Sequence, residues 1–485
     1  MEKKLYPFKF IPIPSKRPWG GSALVTEMGK HFVECDEDGN ETVLGPDVKI
    51  GESWEIADMG FEDSVLSNGW LAGNTISDIM ETYLERVVGE DVYNYYGRQF
   101  PLLVKFLDIN DKLSVQVHPD DEIAAERYDA LGKSELWYVL DADPDAVIYV
   151  GFTRDVTAQE FYDRCRNGSV KEILNEIHPR KGDTLFIAPG TVHAADKGVR
   201  VVEIQESSDM TFRLYDWGRE NDPATARPIH LEEAIDVIDY RAFDPRSYRK
   251  GPLWGDEASH EPCTASESYY AGMCACGEDH ECHCHEEGHE CNCHEEGHEC
   301  HCHEEGHECH CGEECNCHEH GGHHGIHHHE DMEGKIAETL LERPEFCVTK
   351  LNLTDPLHIY TEKFESFIIY ICIEGGASIQ VPSFKENGEA CMDNYELAKG
   401  DTILVPADMP DFYLVPRDRS TVLLEAVCRP VDEVDAYIDP ETDAFLENED
   451  YEGLEDGLLE EDEDTSGPAG ASPFGFFGGG HGPLS

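Results

Sequence analysis

Four side chains in the first half of the sequence are of the types that bind a divalent metal ion. They come from three segments, SVQVHPDD, GKSELWYVL and APGTVHAA, and are Gln116, His118, Glu135 and His193. Residues two apart in a strand face the same side, so Gln116 and His118 are predicted to point together. Two imidazoles, a carboxylate and an amide oxygen suit Zn²⁺ or another borderline ion and leave positions open for substrate or water. A single histidine is as often a hydrogen-bonded polar residue near the surface.

The elements that must position these residues are short strands. The first half of the chain contains runs of β-branched and aromatic residues bounded by Gly, Pro and Asp, namely FPLLVKFLDI, LSVQVHP, ELWYVLDA, AVIYVG, DTLFIAPG and VRVVEIQE. Many short strands separated by turns favour a sandwich or barrel. Helical patterns interrupt them in TISDIMETYLERVVG, in DVTAQEFYDRCRNGSVKEILNEI with Thr157 as the N-cap, and in HLEEAIDVID.

Composition divides the chain into five segments. Residues 1–220 are rich in predicted strands, and 221–258 are predicted to form a helical linker. Residues 259–333 are dominated by Cys, His and Glu and cannot form an apolar core, so disorder is predicted there. Strand-like runs return in 334–431, whereas 432–485 is acidic and glycine-rich and is predicted to be a disordered tail. The predicted fold class is all-β, with two tandem barrels, a few peripheral helices and a low-complexity insertion.

The insertion has the composition of a metal-binding segment. From Gly288 it repeats GHECNCHEE, GHECHCHEE and GHECHCGEE, and 12 of the 19 cysteines fall between Cys274 and Cys317. Thiolate and imidazole are preferred ligands of Zn²⁺ and soft ions, so further Zn²⁺ or other soft ions are predicted to bind in 274–317. A functional segment would buffer metal or load the barrel site. The alternative is a repeat expansion whose metal binding has no use in the cell.

Several segments, taken in order, resemble the signature segments of type I mannose-6-phosphate isomerases, a zinc-dependent family of the cupin superfamily. They are RPWGG, GESWEIAD, SVQVHPDD, GKSELWYVLDA, GDTLFIAPGTVHA and IQESSDMTFRLYDWGR. The resemblance is close over residues 5–250 and looser over 340–430. Several ordered motifs are far more specific than any one of them. One departure is that Pro189 and Gly190 are adjacent, where the usual cupin turn has a residue between them.

The resemblance implies roles for particular residues. The four candidate ligands would hold one Zn²⁺ ion, and Arg213 would line the catalytic pocket, with Lys133 a weaker candidate for the same pocket. Arg213 keeps its proton at any working pH, so electrostatic stabilisation or phosphate binding suits it better than base chemistry. Lys133 or Glu203 could act as the base, although Glu203 is predicted to be salt-bridged or solvated.

The second strand-rich unit lacks the ligand pattern. Aligning KGDTLFIAPGTVH with KGDTILVPADMPD places Asp411 where His193 stands. A structural or substrate-framing role without a metal site is therefore predicted for this unit. His358 is predicted to be an exposed or capping residue rather than a ligand.

The overall charge narrows the choice of partners. A formal net charge of −65 repels nucleic acid and anionic membranes, whereas metal ions and a small sugar phosphate remain suitable partners. No apolar run has the length of a signal peptide or a membrane span, which predicts a cytoplasmic location. The predicted function is interconversion of mannose 6-phosphate and fructose 6-phosphate through an enediol. The alternatives are a non-catalytic cupin that senses or stores sugar phosphate or metal, and an isomerase of a related sugar such as glucose 6-phosphate.

Overall fold

A computed structural model describes residues 3–35, 41–224, 226–243, 336–385 and 388–428. The predicted metal-binding insertion at 259–333 and the predicted tail at 432–485 lie outside the described residues. Within the described part, no helix is both long and apolar enough to cross a membrane.

The first strand-rich unit is an antiparallel barrel of two sheets. One sheet has six strands in the order β1-β4-β5-β12-β7-β10, and the other has five in the order β13-β6-β11-β8-β9. A separate hairpin pairs β2 with β3. The strands are β1 (Ile13–Ser15), β2 (Val33–Cys35), β3 (Glu41–Val43), β4 (Glu52–Ile56), β5 (Leu102–Ile109), β6 (Val115–Val117), β7 (Glu135–Ala142), β8 (Ile148–Phe152), β9 (Leu174–Ile177), β10 (Thr184–Ile187), β11 (His193–Ala195), β12 (Val199–Glu206) and β13 (Phe212–Tyr215).

The central strands of this barrel are buried on both faces. All eight residues of β5 and five consecutive residues at the start of β7 are buried. This explains why their sequences are nearly continuous apolar runs rather than alternating patterns. Between the two sheets, one core cluster packs around Trp137, Val139 and Ile187. Lys105 on β5 and Glu135 on β7 interrupt these runs, and both belong to the site described below.

In the part of the first unit that the structure describes, six α-helices flank the barrel: α1 (Ala23–Thr26), α2 (Ile76–Tyr83), α3 (Glu85–Val88), α4 (Glu90–Tyr96), α5 (Asp121–Tyr128) and α6 (Ala158–Asn167). Helix α6 begins as predicted, because the Thr157 side chain accepts a hydrogen bond from the Glu160 amide. The predicted continuation of this helix to Ile177 is wrong. A 3₁₀ turn at Val170–Ile173 leads into β9, which pairs with β8. Pairing at a sheet edge thus outweighs the local helical pattern.

The described part of the predicted helical linker 221–258 is not an α-helix. It starts with a 3₁₀ turn at Arg219–Asn221, and residues 231–237 form successive turns. The amides of Ala234 and Ile238 donate to carbonyls four residues back, but the Val237 amide donates to a carbonyl only three residues back. The turns pack against the second sheet, where Ala234, Val237 and Ile238 join its core cluster. Packing contacts, not a regular helical ladder, fix this segment.

The second unit is a barrel of the same two-sheet design. Its sheets run β14-β15-β22-β17-β20 and β16-β21-β18-β19. A 3₁₀ turn, Thr361–Lys363, follows β16. The strands are β14 (Ala337–Glu342), β15 (Cys347–Leu353), β16 (Leu357–Ile359), β17 (Ile368–Glu374), β18 (Gly376–Phe384), β19 (Ala390–Ala398), β20 (Thr402–Val405), β21 (Phe412–Pro416) and β22 (Thr421–Val427).

The two barrels share one continuous apolar core, which includes residues of both units. The N-terminal segment links them directly, since Phe8 and Leu404 exchange both backbone hydrogen bonds at 2.7 and 3.0 Å. The ammonium of Lys30 reaches across the boundary as well. It donates to Glu55 in the first barrel and to the Gly400 carbonyl in the second, each at 2.7 Å. Hydrogen bonds as well as apolar contacts therefore hold the two barrels together.

Candidate metal centre and active site

Three adjacent strands bring the site residues together. Gln116, on β6, is the register partner of His193 on β11 and of Arg213 on β13. Register partners in antiparallel strands project from the same face of the sheet. The strand pairing therefore places an amide, an imidazole and a guanidinium side by side on the inner face of the barrel.

A turn at Gly190 fixes the approach to β11. Gly190 has a φ of 80°, which is the left-handed region that glycine tolerates. A Cβ atom here would also lie 2.9 Å from the Val237 carbonyl oxygen. The Gly190 amide donates to the His118 carbonyl at 2.9 Å. The adjacent Pro189 and Gly190 thus tie the turn before His193 to the residue that follows β6.

Three of the predicted ligands converge on one point. The ligand atoms of His118, Glu135 and His193 all lie within 4.8 Å of one another, and all three residues are buried. Nε2 of His193 is 3.2 Å from one Glu135 oxygen, and Nε2 of His118 is 3.5 Å from the other. The Gln116 amide nitrogen is 3.1 Å from Nε2 of His193. The structure therefore gathers all four predicted residues into one cluster.

The polar atoms that face the centre of this cluster fit a cation. Nε2 of His118 and both oxygens of Glu135 are buried without a hydrogen-bond partner. The Nδ1 atoms of His118 and His193 face the carbonyls of Met210 and Thr191 at 2.9 and 3.0 Å. A carbonyl can only accept, so each Nδ1 carries the proton and each Nε2 presents its lone pair. One Glu135 oxygen has the Lys133 ammonium 3.1 Å away, and a bound cation would satisfy the remaining buried acceptor atoms, which are costly to leave unpaired.

Burial and nearby charges favour the protonation states in which His118 and Glu135 bind a metal ion. Burial, reinforced by the nearby Lys133 ammonium, lowers the pKa of His118 to about 3, so its imidazole is neutral at ordinary pH. Burial acts to raise the pKa of Glu135, but Lys133 and His118 outweigh it and hold that pKa well below its usual range. A neutral imidazole beside an ionised carboxylate is what a divalent metal requires.

The two predicted catalytic residues lie against the same cluster. Lys133 is buried, and its Nζ atom is 3.1 Å from Oε2 of Glu135. Arg213 is 4% exposed, and its Nη1 donates to the Pro228 carbonyl at 3.0 Å. Both residues and Gln116 line a cleft that opens from the cluster.

Sequence reasoning missed a buried charged network along the same cleft. Arg17 makes two hydrogen bonds to Glu52, at 2.9 and 3.2 Å, and the Trp54 indole donates to the same carboxylate at 2.7 Å. Burial opposes ionisation of Glu52, yet Arg17 and Lys105 lower its pKa to about 2. The sequence feature that could have revealed this network is a lone lysine, Lys105, inside the apolar run FPLLVKFLDI.

Glu203, the alternative base, belongs to that network. One of its oxygens accepts from Lys105 Nζ at 3.0 Å, and the other accepts from the Trp137 indole at 2.8 Å. Both oxygens are engaged, which agrees with the salt-bridged role predicted for this residue.

The second barrel presents no comparable cluster among the described residues. Nε2 of His358 contacts the Asp411 carboxylate, and the His358 ring stacks on Tyr413 with centroids 4.4 Å apart. The histidine and aspartate side chains are 27% and 44% exposed, respectively, unlike the buried residues of the first barrel. Ile368 pairs with Val405 as Glu135 pairs with Ile187, so an apolar residue occupies the position of the carboxylate.

Comparison with known proteins places this chain in a family. A family model described as phosphomannose isomerase type I, catalytic domain, matches residues 8–151. A probable mannose-6-phosphate isomerase of Bacillus subtilis is 37% identical over 234 residues, which cover 48% of this chain and 68% of the relative. The chain belongs to the type I phosphomannose isomerase family. A second relative, the mannose-6-phosphate isomerase ManA of Bacillus subtilis, is 35% identical over 50% of this chain and 70% of its own length.

Solved structures agree on the fold. The crystal structure of the mannose 6-phosphate isomerase from Bacillus subtilis matches with a TM-score of 0.58 at 24% identity, covering 87% of this chain and 99% of that chain. The structure of a putative mannosephosphate isomerase from Archaeoglobus fulgidus matches with a TM-score of 0.54 at 17% identity, covering 89% and 100%. The predicted fold class, tandem cupin-like barrels dominated by β-strands, is confirmed, as is the resemblance to the type I family.

Proposed function

We propose that this protein interconverts mannose 6-phosphate and fructose 6-phosphate at the cluster of Gln116, His118, Glu135 and His193. The observation that carries the proposal is a buried set of metal-type donors with unpaired acceptor atoms, beside a cleft that Lys133 and Arg213 line. Family membership supplies the reaction and the substrate class.

We further propose that the cluster holds one Zn²⁺ ion. Two imidazole nitrogens, a carboxylate and an amide oxygen are donors that Zn²⁺ accepts, and four protein ligands leave room for a substrate oxygen when the coordination expands. When bound, the ion would stabilise negative charge that develops on the sugar oxygens at C1 and C2. The residues around it then orient the open-chain sugar and move one proton between those carbons.

Lys133 is our candidate for the proton transfer. Isomerisation moves one proton from C2 of the aldose to C1 of the ketose and a second from the C2 hydroxyl to the C1 oxygen, and a nearby amine in its neutral form can accept the carbon-bound proton and return it. Lys133 lines the cleft and lies 3.1 Å from Glu135. Arg213 has a different role. Burial and the neighbouring Arg227 lower its pKa to about 10, yet it remains cationic at neutral pH and acts by binding negative charge.

A coupled assay of the purified full chain tests the function. Mannose 6-phosphate should be converted to fructose 6-phosphate, activity should be lost with a chelator, and Zn²⁺ should restore it better than Mg²⁺. Parallel assays with glucose 6-phosphate measure substrate preference, which contacts to sugar hydroxyls determine. His193→Ala and Glu135→Ala should abolish the reaction, whereas the matched control His358→Ala should not. Equal losses in all three variants would overturn the assignment.

For the segment 274–317, which lies outside the described residues, we propose that its Cys-x-Cys and histidine repeats bind Zn²⁺ or other soft ions and supply metal to the barrel site. The support is its density of thiolate and imidazole ligands. Deleting residues 270–329 should leave activity unchanged in excess Zn²⁺ and lower it when the metal is limiting. Unchanged activity of the deletion variant when Zn²⁺ is limiting would show that the segment does not supply metal to the barrel site.

A further inference from the structure

The backbone of Arg213 is bound by a histidine from outside its sheet. Arg213 lies on β13, the outermost strand of the five-stranded sheet, and such a strand has backbone groups that no neighbouring strand satisfies. The Arg213 amide donates to Nδ1 of His230 at 3.1 Å, and the His230 amide donates to the Arg213 carbonyl at 2.7 Å. One residue therefore satisfies both backbone groups of Arg213 at the edge of the sheet.

The same stretch of chain also holds the Arg213 side chain. Its Nη1 atom donates to the Pro228 carbonyl at 3.0 Å. Neighbouring Arg227 is fixed differently, because the Asp216 carboxylate accepts from it at 2.6 and 3.0 Å. Charge-assisted pairs of this kind fix a guanidinium strongly, whereas a neutral carbonyl fixes it less. The position of Arg213 therefore depends on the stretch from Pro228 to His230.

The His230 ring is fixed in turn, and in one protonation state. The residue is 6% exposed, its carbonyl accepts from the Ala234 amide at 3.1 Å, and its ring meets Phe212 edge to face with centroids 6.3 Å apart. Burial and the charge of Arg213 lower the pKa of His230, which keeps the ring neutral at ordinary pH. Because the Arg213 amide can only donate, Nδ1 presents its lone pair and Nε2 carries the proton.

His230 does not reach the cleft itself. Arg213 lines the cleft beside the metal cluster, whereas His230 is not among the residues that line it. Arg213 is the register partner of Gln116, so its place along β13 sets where the guanidinium enters the cleft. Misplacing a group that contacts substrate by about 1 Å can cost about 100-fold in rate. Any effect of His230 on the reaction therefore passes through Arg213.

We propose that His230 is a positioning residue, whose Nδ1 atom fixes the strand position from which Arg213 reaches the cleft. The inference rests on the proposed function for the reaction that Arg213 serves, but not for the contacts that hold Arg213. The competing explanation is that the ring only fills space at the sheet edge. In that case the acceptor at Nδ1 would have no effect on activity.

Two amide substitutions separate the acceptor from the packing. The oxygen of asparagine can take the place of Nδ1, whereas the longer glutamine carries its oxygen toward the place of Nε2. In coupled assays of the zinc-loaded full chain, His230→Asn should keep kcat/KM within about threefold of the parent, and His230→Gln should lower it about tenfold or more. Ile238→Val is the matched control, since it loosens the core under the same turns without touching Arg213, and it should leave kcat/KM unchanged. Equal losses in the asparagine and glutamine variants would overturn the inference.

A double-mutant cycle shows whether His230 acts through Arg213. In the Arg213→Met background, His230→Gln should change kcat/KM by less than about twofold, because no guanidinium is left to misplace. In the parent background, the loss should divide between kcat and KM in the same proportion as the loss caused by Arg213→Met. A second tenfold loss in the Arg213→Met background would show that His230 acts elsewhere.

Two measurements on the full chain do not depend on activity. Hydrogen exchange at the Arg213 amide should be at least about tenfold faster in His230→Gln than in His230→Asn. In the unmodified chain labelled with ¹⁵N-histidine, Nδ1 of His230 should carry no proton at neutral pH, and this result is informative even if the variants do not fold. A protonated Nδ1, or equal exchange in the two variants, would overturn the inference. Both expected results in a chain without isomerase activity would overturn the proposed function alone.

Discussion

The side-chain amide nitrogen of Gln116 lies 3.1 Å from Nε2 of His193, at paired positions on β6 and β11. A half-turn of the amide about its last bond exchanges nitrogen and oxygen without moving the rest of the side chain. The amide oxygen and the imidazole nitrogen would then face one cation together. Strand register, not proximity along the chain, brings these two side chains together.

Replacing Gln116 with leucine should weaken metal binding without unfolding the barrel. The change keeps the size of the side chain and removes its oxygen. Loss of even an outer partner of a metal site costs about 10- to 100-fold in affinity, and a direct ligand should cost at least as much. Competition with a fluorescent zinc chelator measures the effect in the chain lacking residues 270–329, so that the repeat does not contribute. Affinity equal to that of the same deletion with Gln116 intact would exclude Gln116 as a ligand.

Lys133 should affect the chemical step rather than metal binding. Lys133→Met removes the amine that we assign to proton transfer, and positioned acid or base groups contribute about 10²- to 10⁴-fold to rate. We expect kcat to fall by that order, while the zinc content of the deletion chain stays at one ion per chain. Loss of the metal together with the activity would show instead that Lys133 supports the ligand Glu135.

Glu206 should make stability depend on pH. Burial and the neighbouring Asp121 raise the pKa of Glu206 to about 8. The folded pKa lies above the unfolded value of about 4.3, so this contribution to stability is complete below about pH 4 and is lost as the pH rises through about 8. Glu206→Gln keeps an acceptor for the Ser134 amide, which donates to Glu206 at 2.8 Å.

Urea unfolding across this pH range measures the effect. The free energy of unfolding of Glu206→Gln should fall less between about pH 5 and about pH 8 than that of the parent, by on the order of a few kcal/mol. Glu122→Gln, at an exposed position on α5, is the matched control and should leave the pH dependence unchanged. Identical pH profiles for Glu206→Gln and the parent would contradict the raised pKa.

Lys30 should stabilise the folded chain at the boundary between the two barrels. Lys30 and Glu55 are both nearly fully buried, so Lys30→Met strands a buried carboxylate and should cost about 3 to 5 kcal/mol in unfolding free energy. Lys30→Met combined with Glu55→Gln should recover much of that loss. Lys385→Met breaks an exposed pair with Glu389 and should cost at most about 0.5 kcal/mol. A similar loss from Lys30 and Lys385 would show that the bridge contributes little.

The sequence predicted the strands well wherever both faces are buried, because runs such as those of β5, β7 and β12 are apolar almost throughout. It failed at β9, where Leu174–Ile177 continues a helical pattern but pairs with the neighbouring β8. Such pairing depends on residues far along the chain. The turns at 231–237 were missed for the same reason, since packing on the barrel determines them.

The four ligand candidates could be proposed from residue type and from the resemblance of their segments to family motifs, and each lies in or beside a short strand. Arg227 and the pair of Arg17 with Glu52 could not. In the sequence these charged residues cannot be told apart from ordinary charged residues of a protein surface. Only the folded chain brings Arg227 to Asp216 and Arg17 to Glu52.

If the proposed function is correct, one cation binds among Gln116, His118, Glu135 and His193. The most direct test is a crystal structure of the zinc-loaded protein with anomalous difference maps on both sides of the zinc absorption edge. We expect one strong peak about 2.0 to 2.2 Å from Nε2 of both histidines and from a Glu135 oxygen. Zinc peaks found only elsewhere, with the Lys133 ammonium still against Glu135, would contradict it.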